Sequence, residues 1–119
     1  MAVLNVSTEK KYIRRLKNAF GLLDYIAIKK EIRSGDMQVF LINGLVIATR
    51  EEPQNKHFVI VGAQGAGLKR AIPQIYMLAK SKGFNTIRFH NDNGKFPKMT
   101  NAKLIRSNKK EYVFEVTIP

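Results

Sequence analysis

Residues 57–83 read HFVIVGAQGAGLKRAIPQIYMLAKSKG, and this stretch decides the fold. Its first five residues are apolar at nearly every position, which is typical of a strand that is buried on both faces and central in a sheet. A glycine-rich loop follows, and apolar residues then recur at helical spacing from about Leu68 to Lys82. Gly83 is placed to end this helix as a C-cap. The stretch therefore predicts a buried strand, a tight loop and a helix.

A second β-rich run, Thr86–His90, begins soon after the helix ends. A strand, a short loop, a helix and another strand in this span predict a right-handed βαβ unit with parallel strands. The segment 91–101 is polar and rich in turn residues, and two final strands are predicted over 102–106 and 111–118. The parallel pair should thus be followed by a terminal strand pair.

Upstream of the central strand lie two β-rich runs, Met37–Ile42 and Leu45–Thr49, separated by Asn43-Gly44. Asn-Gly between such runs is a strong signal for a β-hairpin, because both residues tolerate the positive φ that a type I′ turn demands. An antiparallel hairpin is predicted over these two runs.

The first 35 residues predict basic amphipathic helices. One helix is predicted from Glu9 to about Leu23, because apolar residues fall on one face there and lysines and arginines occupy most of the other positions. A second apolar set over 22–32 favours a short helix over an extended segment. The chain as a whole is predicted to be a single α/β (α+β) domain, 1–119, with helices in 1–35. A mostly antiparallel mixed sheet around one parallel βαβ unit is predicted in 36–119.

The composition indicates one soluble, basic domain. The 119 residues include 45% hydrophobic residues, enough for a core, and 21 Lys+Arg against 9 Asp+Glu give a formal net charge of +12. Such an excess attracts polyanions, phosphate-bearing cofactors or acidic surfaces. There is no cysteine, and His57 and His90 lack local ligand spacing, so no metal site is expected. No run reaches the roughly 18 apolar residues of a spanning helix, and no signal peptide is recognised, so a cytoplasmic protein is expected.

The glycine-rich loop Gln64-Gly65-Ala66-Gly67 carries the clearest chemical signal. A loop of small residues between a buried strand and a helix N-terminus lets a phosphate reach free backbone N–H groups, and Lys69 and Arg70 add positive charge beside it. The alternative is that the glycines serve only tight packing. The spacing excludes a P-loop and does not complete a dinucleotide fingerprint.

Residues 64–69 resemble the acetyl-CoA loop of the GNAT N-acetyltransferase family, Q/R-x-x-G-x-G/A, with Lys69 where a small residue is usual. The order of elements from Met37 to Ile118 is also similar to that family, including its short members from bacteriophages. The resemblance implies that acetyl-CoA binds, with pantetheine along the strand edge and pyrophosphate on the loop amides. The residues so implied are Val59, Ile60, Val61, Gln64, Gly65, Ala66, Gly67, Leu68 and Lys69.

The catalytic residues are less clear than the cofactor loop. The resemblance implies a tyrosine acid on a helix after the fifth strand, but 91–99 contains glycine and proline and no tyrosine. Glu51 and Glu52 are the best-placed carboxylates for a base, with Asp92 and His90 behind them. Tyr76 and Tyr112 are interpreted as core residues.

Two functions therefore stay open at the level of sequence. One is an N-acyltransferase that uses acetyl-CoA on an unknown acceptor. The other is an inactive module of the same fold, such as a phage structural protein in the host cytoplasm or virion, that contacts nucleic acid or an acidic protein partner through its basic surface. A dimer is compatible with either function.

Overall fold

The computed structural model describes residues 3–54, 56–91, 103–107 and 112–118. These residues form seven strands and four helices. The strands are β1 (Val3–Asn5), β2 (Gln38–Ile42), β3 (Leu45–Glu52), β4 (His57–Gln64), β5 (Thr86–Asn91), β6 (Lys103–Ser107) and β7 (Tyr112–Thr117). The helices are α1 (Lys10–Arg15), α2 (Lys17–Phe20), α3 (Leu22–Ser34) and α4 (Leu68–Ser81).

All seven strands form one mixed sheet in the order β1-β2-β3-β4-β5-β7-β6. β4 is the central strand and pairs in parallel with β5, whereas every other neighbouring pair is antiparallel. The predicted parallel βαβ unit, hairpin and terminal strand pair are confirmed. β1 was not predicted, because three residues are too few to show an alternating pattern, and its place is set by pairing with β2.

The hairpin of β2 and β3 closes through the predicted two-residue turn, since Ile42 pairs with Leu45. Asn43 has φ 54, but Gly44 lies outside the left-handed region, so the type I′ turn is wrong. The Gly44 carbonyl instead accepts a hydrogen bond from Arg15 Nη2 at 2.6 Å, which ties the turn to α1.

Replacing Asn43 by alanine is expected to lower the free energy of unfolding by about 1 kcal/mol, because most side chains adopt a left-handed backbone at a cost of about 1–2 kcal/mol. Asn43→Gly is the matched control and should lose little or nothing, since glycine adopts this conformation freely. Urea unfolding of both variants measures the difference. Equal losses would show that the side chain of Asn43, and not its backbone, matters.

The N-terminal helices differ from the single helix predicted over 9–23. That segment forms α1 and α2 with a break at Leu16, and the chain then turns at Gly21, whose φ is 78. Leu16 is fully buried, and the Phe20 ring packs against Gly62 of β4, so contacts with the sheet decide where the helices end. The second helix, favoured over an extended segment, is confirmed as α3.

Two apolar cores lie on opposite faces of the sheet. α4 covers one face, where Ile75 and Ala79 are fully buried in a cluster that includes Phe58 and Ile60 of β4. The N-terminal helices cover the other face over β2 and β3, in a second cluster that contains Leu16. β4 is thus buried between two layers, as its apolar sequence predicts, and it runs three residues beyond the predicted end at Val61.

Candidate functional site

The two central parallel strands separate near the end of β4. Pairing between β4 and β5 stops at Ile60 and Phe89, whereas pairing of β4 with β3 continues to Gln64. The β3–β4 ladder also shifts register between Ala48 and Thr49, which leaves Val61 as an extra residue on β4. The backbone of residues 61–64 therefore has a strand neighbour on the β3 side and none on the β5 side within the described chain.

This arrangement refines where a ligand could pair with the strand. Val59 and Ile60 lie inside the ladder with β5, opposite Arg88 and Phe89. Among the described residues, the β5-side edge of β4 has no strand neighbour only from Val61 onward. Of the three residues predicted to bind pantetheine, the structure therefore leaves Val61 accessible and places the other two within the sheet.

The loop after β4 leads into the N-terminus of α4, which has no side-chain cap. Gly65 and Gly67 have φ 118 and 95, and α4 begins without a side-chain cap and without an acidic residue in its first turn. The first hydrogen bond of this helix runs from the Ala71 amide to the Gly67 carbonyl at 3.0 Å. The amides of residues 68–70 precede it, so they can donate to an anion.

A cleft of about 380 Å³ opens beside this N-terminus. It lies between the β2–β3 turn and the first turn of α4, and its volume falls in the range of small-molecule sites. Arg70 contributes a cation, and Ile42 and Ala71 contribute apolar surface. The lining residues are Ile42, Asn43, Ala66, Gly67, Arg70 and Ala71. Lys69 is exposed in the same helical turn.

The two loop glycines have different surroundings. A Cβ at Gly65 would lie 2.5 Å from the Gly44 carbonyl oxygen and 2.8 Å from Arg15 Nη2, so glycine is required there for packing. A Cβ at Gly67 would have no atom within 4 Å. Close packing therefore requires a glycine at position 65. At position 67 only the positive φ favours glycine, and the space in front of the helix is open.

Gln64 is held by α1. Arg15 Nε donates to Gln64 Oε1 at 2.7 Å, and Arg15 Nη2 donates to the Gln64 carbonyl at 3.3 Å and to the Gly44 carbonyl. Arg15 was missed in the sequence because its partners are 29 and 49 residues away. One guanidinium therefore joins the hairpin turn, the end of β4 and the N-terminal helices at the loop.

Glu51 and Glu52 lie at the other end of β4. They pair with Phe58 and His57, whereas the loop begins seven residues later, a rise of roughly 23 Å along a strand. Glu51 Oε2 is 3.9 Å from Lys82 Nζ. The structure does not bring these carboxylates together with the loop, and their catalytic role stays a prediction of the sequence.

The other predicted candidates are spread over the sheet and α4. His90 follows Phe89, one residue beyond the last β4–β5 pair, and is half-buried beside the point where the strands separate. Tyr76 packs against the core on α4, and burial raises the pKa of its hydroxyl above the usual 10. Asp92 and the side chain of Tyr112 lie outside the described residues.

The described part of the chain contains neither a metal-ligand cluster nor a membrane-spanning helix. No group of three or more His, Asp or Glu side chains there could hold a metal ion. None of its helices combines the length and apolar character needed to cross a membrane.

Comparison with known proteins gives matches in shape alone. No protein-family model and no curated protein match the sequence. The whole chain superposes on aminoglycoside 6′-acetyltransferase type Ii with a TM-score of 0.71 at 10% identity and 98% coverage of that chain. Tetrahymena GCN5 gives a TM-score of 0.71 at 14% identity, covering 100% of this chain and 97% of that chain.

A Bacillus subtilis acetyltransferase solved in complex with CoA gives a TM-score of 0.69 at 12% identity and 98% coverage of both chains. A putative acetyltransferase of the GNAT family from Desulfovibrio desulfuricans matches at 0.71 and 9% identity over 99% of both chains. At such identities the likeness establishes the fold. The chain has the mixed α/β fold of the GNAT acetyltransferases, as predicted.

Proposed function

We propose that this chain is an N-acyltransferase that uses acetyl-CoA. The observation that carries the proposal is the conjunction, at one end of β4, of an open strand edge and an uncapped helix N-terminus. Either feature alone is common. Together they offer amide and carbonyl groups for an extended amide-bearing arm and, immediately beside them, amides for a diphosphate. CoA contains both groups in one molecule.

The cofactor's pyrophosphate would accept hydrogen bonds from the amides of residues 65–70. The partial positive charge of the helix end favours this, and Lys69 and Arg70 are exposed in the same turn. Lys69 occupies a position where a small residue is usual, and its side chain would add an ionic contact to the phosphate. The pantetheine arm would pair with the edge of β4 from Val61 toward Gln64.

The thioester would then lie where β4 and β5 separate, and an acceptor amine would attack its carbonyl carbon. The new C–N bond forms as the C–S bond breaks, and the amine loses one proton while the departing thiolate gains one. Among the described residues, His90 is a titratable residue close to this point, because it follows Phe89, the last residue of β5 that pairs with β4. It is therefore our candidate for the proton acceptor, in preference to Glu51 and Glu52.

The shape neighbours support this assignment, since they are acetyltransferases and one carries CoA. The acceptor, the phage resemblance and the cytoplasmic location remain predictions from sequence. An inactive module that binds nucleic acid or an acidic protein through its basic surface is the competing outcome of the experiment below.

Calorimetric titration with acetyl-CoA is expected to show saturable one-site binding below about 1 mM, the upper range of ordinary substrate affinities. CoA should bind similarly and ATP more weakly, because ATP lacks the pantetheine arm. Release of free thiol from acetyl-CoA in the presence of a panel of amines then tests transfer. Binding without any amine-dependent thiol release would indicate a non-catalytic CoA-binding module. No binding at millimolar ligand would contradict the proposal.

A further inference from the structure

Arg15 is half-buried at the end of α1, and its guanidinium reaches over the end of the sheet. Its three hydrogen bonds, to two carbonyl oxygens and one amide oxygen, use the Nε–H and the N–H groups of Nη2. A guanidinium has five donors. The two N–H groups on Nη1 have no partner within the described chain, so one side of the group is left for a ligand.

Among the described residues, the charge of Arg15 also has no counter-ion. All three acceptors are neutral, and no described carboxylate lies within 4 Å of the guanidinium. A partly buried cation without an opposite charge is unfavourable, and a bound anion would offset that cost. Other cations around the sheet do have such partners, namely Arg50 with Glu31, Lys82 with Glu51 and Arg88 with Glu115.

The guanidinium lies directly against the loop. Nη2 is 2.8 Å from the position that a Cβ would take on Gly65. Gly65 is followed within three residues by the free amides at the start of α4. A phosphate on those amides would lie beside Arg15, and the N–H groups of Nη1 would donate charge-assisted hydrogen bonds to its oxygens.

We infer that Arg15 is a phosphate ligand of the loop, contributed by the N-terminal helix α1, and that it couples occupancy of the loop to the docking of α1. The inference rests on the proposed function, because the phosphate is that of the cofactor. It goes beyond the loop motif, since Arg15 lies 49 residues before Gln64 in sequence. α1 has only six residues and no side-chain N-cap, and it is held by packing of Tyr12 and Ile13 on the second core cluster and by the Arg15 hydrogen bonds.

The test compares Arg15→Gln with Arg14→Gln, a matched control with the same charge change. Arg14 is exposed on the same helix and makes no side-chain hydrogen bond within the described chain. Dissociation constants for CoA and for inorganic pyrophosphate are measured by calorimetry, with circular dichroism to check folding. Arg15→Gln should weaken both ligands by about tenfold or more, the worth of one charge-assisted hydrogen bond, and Arg14→Gln by less than about twofold.

A second measurement needs no variant. Pyrophosphate added to the unaltered chain should slow hydrogen exchange of the α1 amides together with those of residues 68–70, because the shared anion fixes both segments. Protection of residues 68–70 without protection of α1 would overturn the inference. So would a folded Arg15→Gln chain that binds both ligands as the unaltered chain does, or equal losses in the two variants. If the unaltered chain binds neither ligand, the proposed function itself fails.

Discussion

Ala66→Glu should lower the affinity for CoA by about 30-fold or more without destabilising the protein. Ala66 is exposed in the loop and lines the cleft beside Gly67. A carboxylate there would stand about 5 Å from a bound phosphate, where two like charges repel by roughly 3 kcal/mol at an effective dielectric constant of 20. That energy corresponds to about 100-fold in affinity, and exposure to solvent reduces it.

The same substitution should leave stability unchanged or raise it by about 0.3–1 kcal/mol, because a negative charge near the start of a helix is favourable. α4 has no acidic residue in its first turn, so this stabilisation is available. The affinity for CoA is therefore expected to fall while the free energy of unfolding stays the same or rises.

The matched control for Ala66→Glu is Ala66→Gln, which adds nearly the same volume without charge. It should bind CoA within about threefold of the unaltered chain, a difference of less than about 1 kcal/mol. Calorimetry measures affinity and urea unfolding measures stability. If the glutamate and glutamine variants bind CoA equally well, the phosphate does not lie at this loop.

Gly65→Ala should lower the free energy of unfolding by about 3 kcal/mol, the largest stability effect expected in the loop. About 1–2 kcal/mol comes from the positive φ, which an L-residue adopts at a cost. A further contribution of about 1–3 kcal/mol is typical of overpacking, because the added Cβ would lie 2.5 Å from a backbone carbonyl oxygen. That oxygen belongs to the β2–β3 turn and accepts from Arg15, so it cannot move without loss.

Gly67→Ala is the matched control for Gly65→Ala. It has the same kind of backbone strain, φ 95, and no atom within 4 Å of its Cβ position. Its loss should stay near about 1–2 kcal/mol, and the difference between the two variants in urea unfolding isolates the close approach of the turn. Equal losses would mean that the turn is not packed on the loop. Valine at Gly67 would mix this strain with blocking of a ligand, so Ala66→Glu is the cleaner probe of binding.

The features of the fold that local pattern encodes could be predicted from sequence. The apolar run of β4, the Asn-Gly hairpin and the helical periodicity of α4 each depend on residues close in the chain, and all three are confirmed. β1 escaped prediction because it is only three residues long. The break between α1 and α2 was not predicted, because packing of Leu16 and Phe20 on the sheet overrides their helical spacing.

In the candidate site, too, features set by neighbouring residues could be predicted, and features set by distant contacts could not. The loop was recognised from its glycines, whereas the separation of β4 from β5 is a property of the whole sheet and leaves no local signal. Arg15 could not be found because its contacts cross 29 and 49 residues. Glu51 and Glu52 are a different case. β3 runs antiparallel to β4, so the end of β3 lies beside the start of β4, far from the loop. The short connection between Glu52 and His57 is typical of antiparallel neighbours and could have indicated this direction.

The central claim is that the pyrophosphate of CoA lies on the amides of residues 65–70, at the start of α4. It is tested most directly by titrating the ¹⁵N-labelled chain with CoA and following its amide resonances. We predict the largest shifts over residues 65–70 and along 61–63, with inorganic pyrophosphate reproducing the first group and not the second. No shift at millimolar CoA, or shifts confined to residues outside 61–70, would contradict the claim.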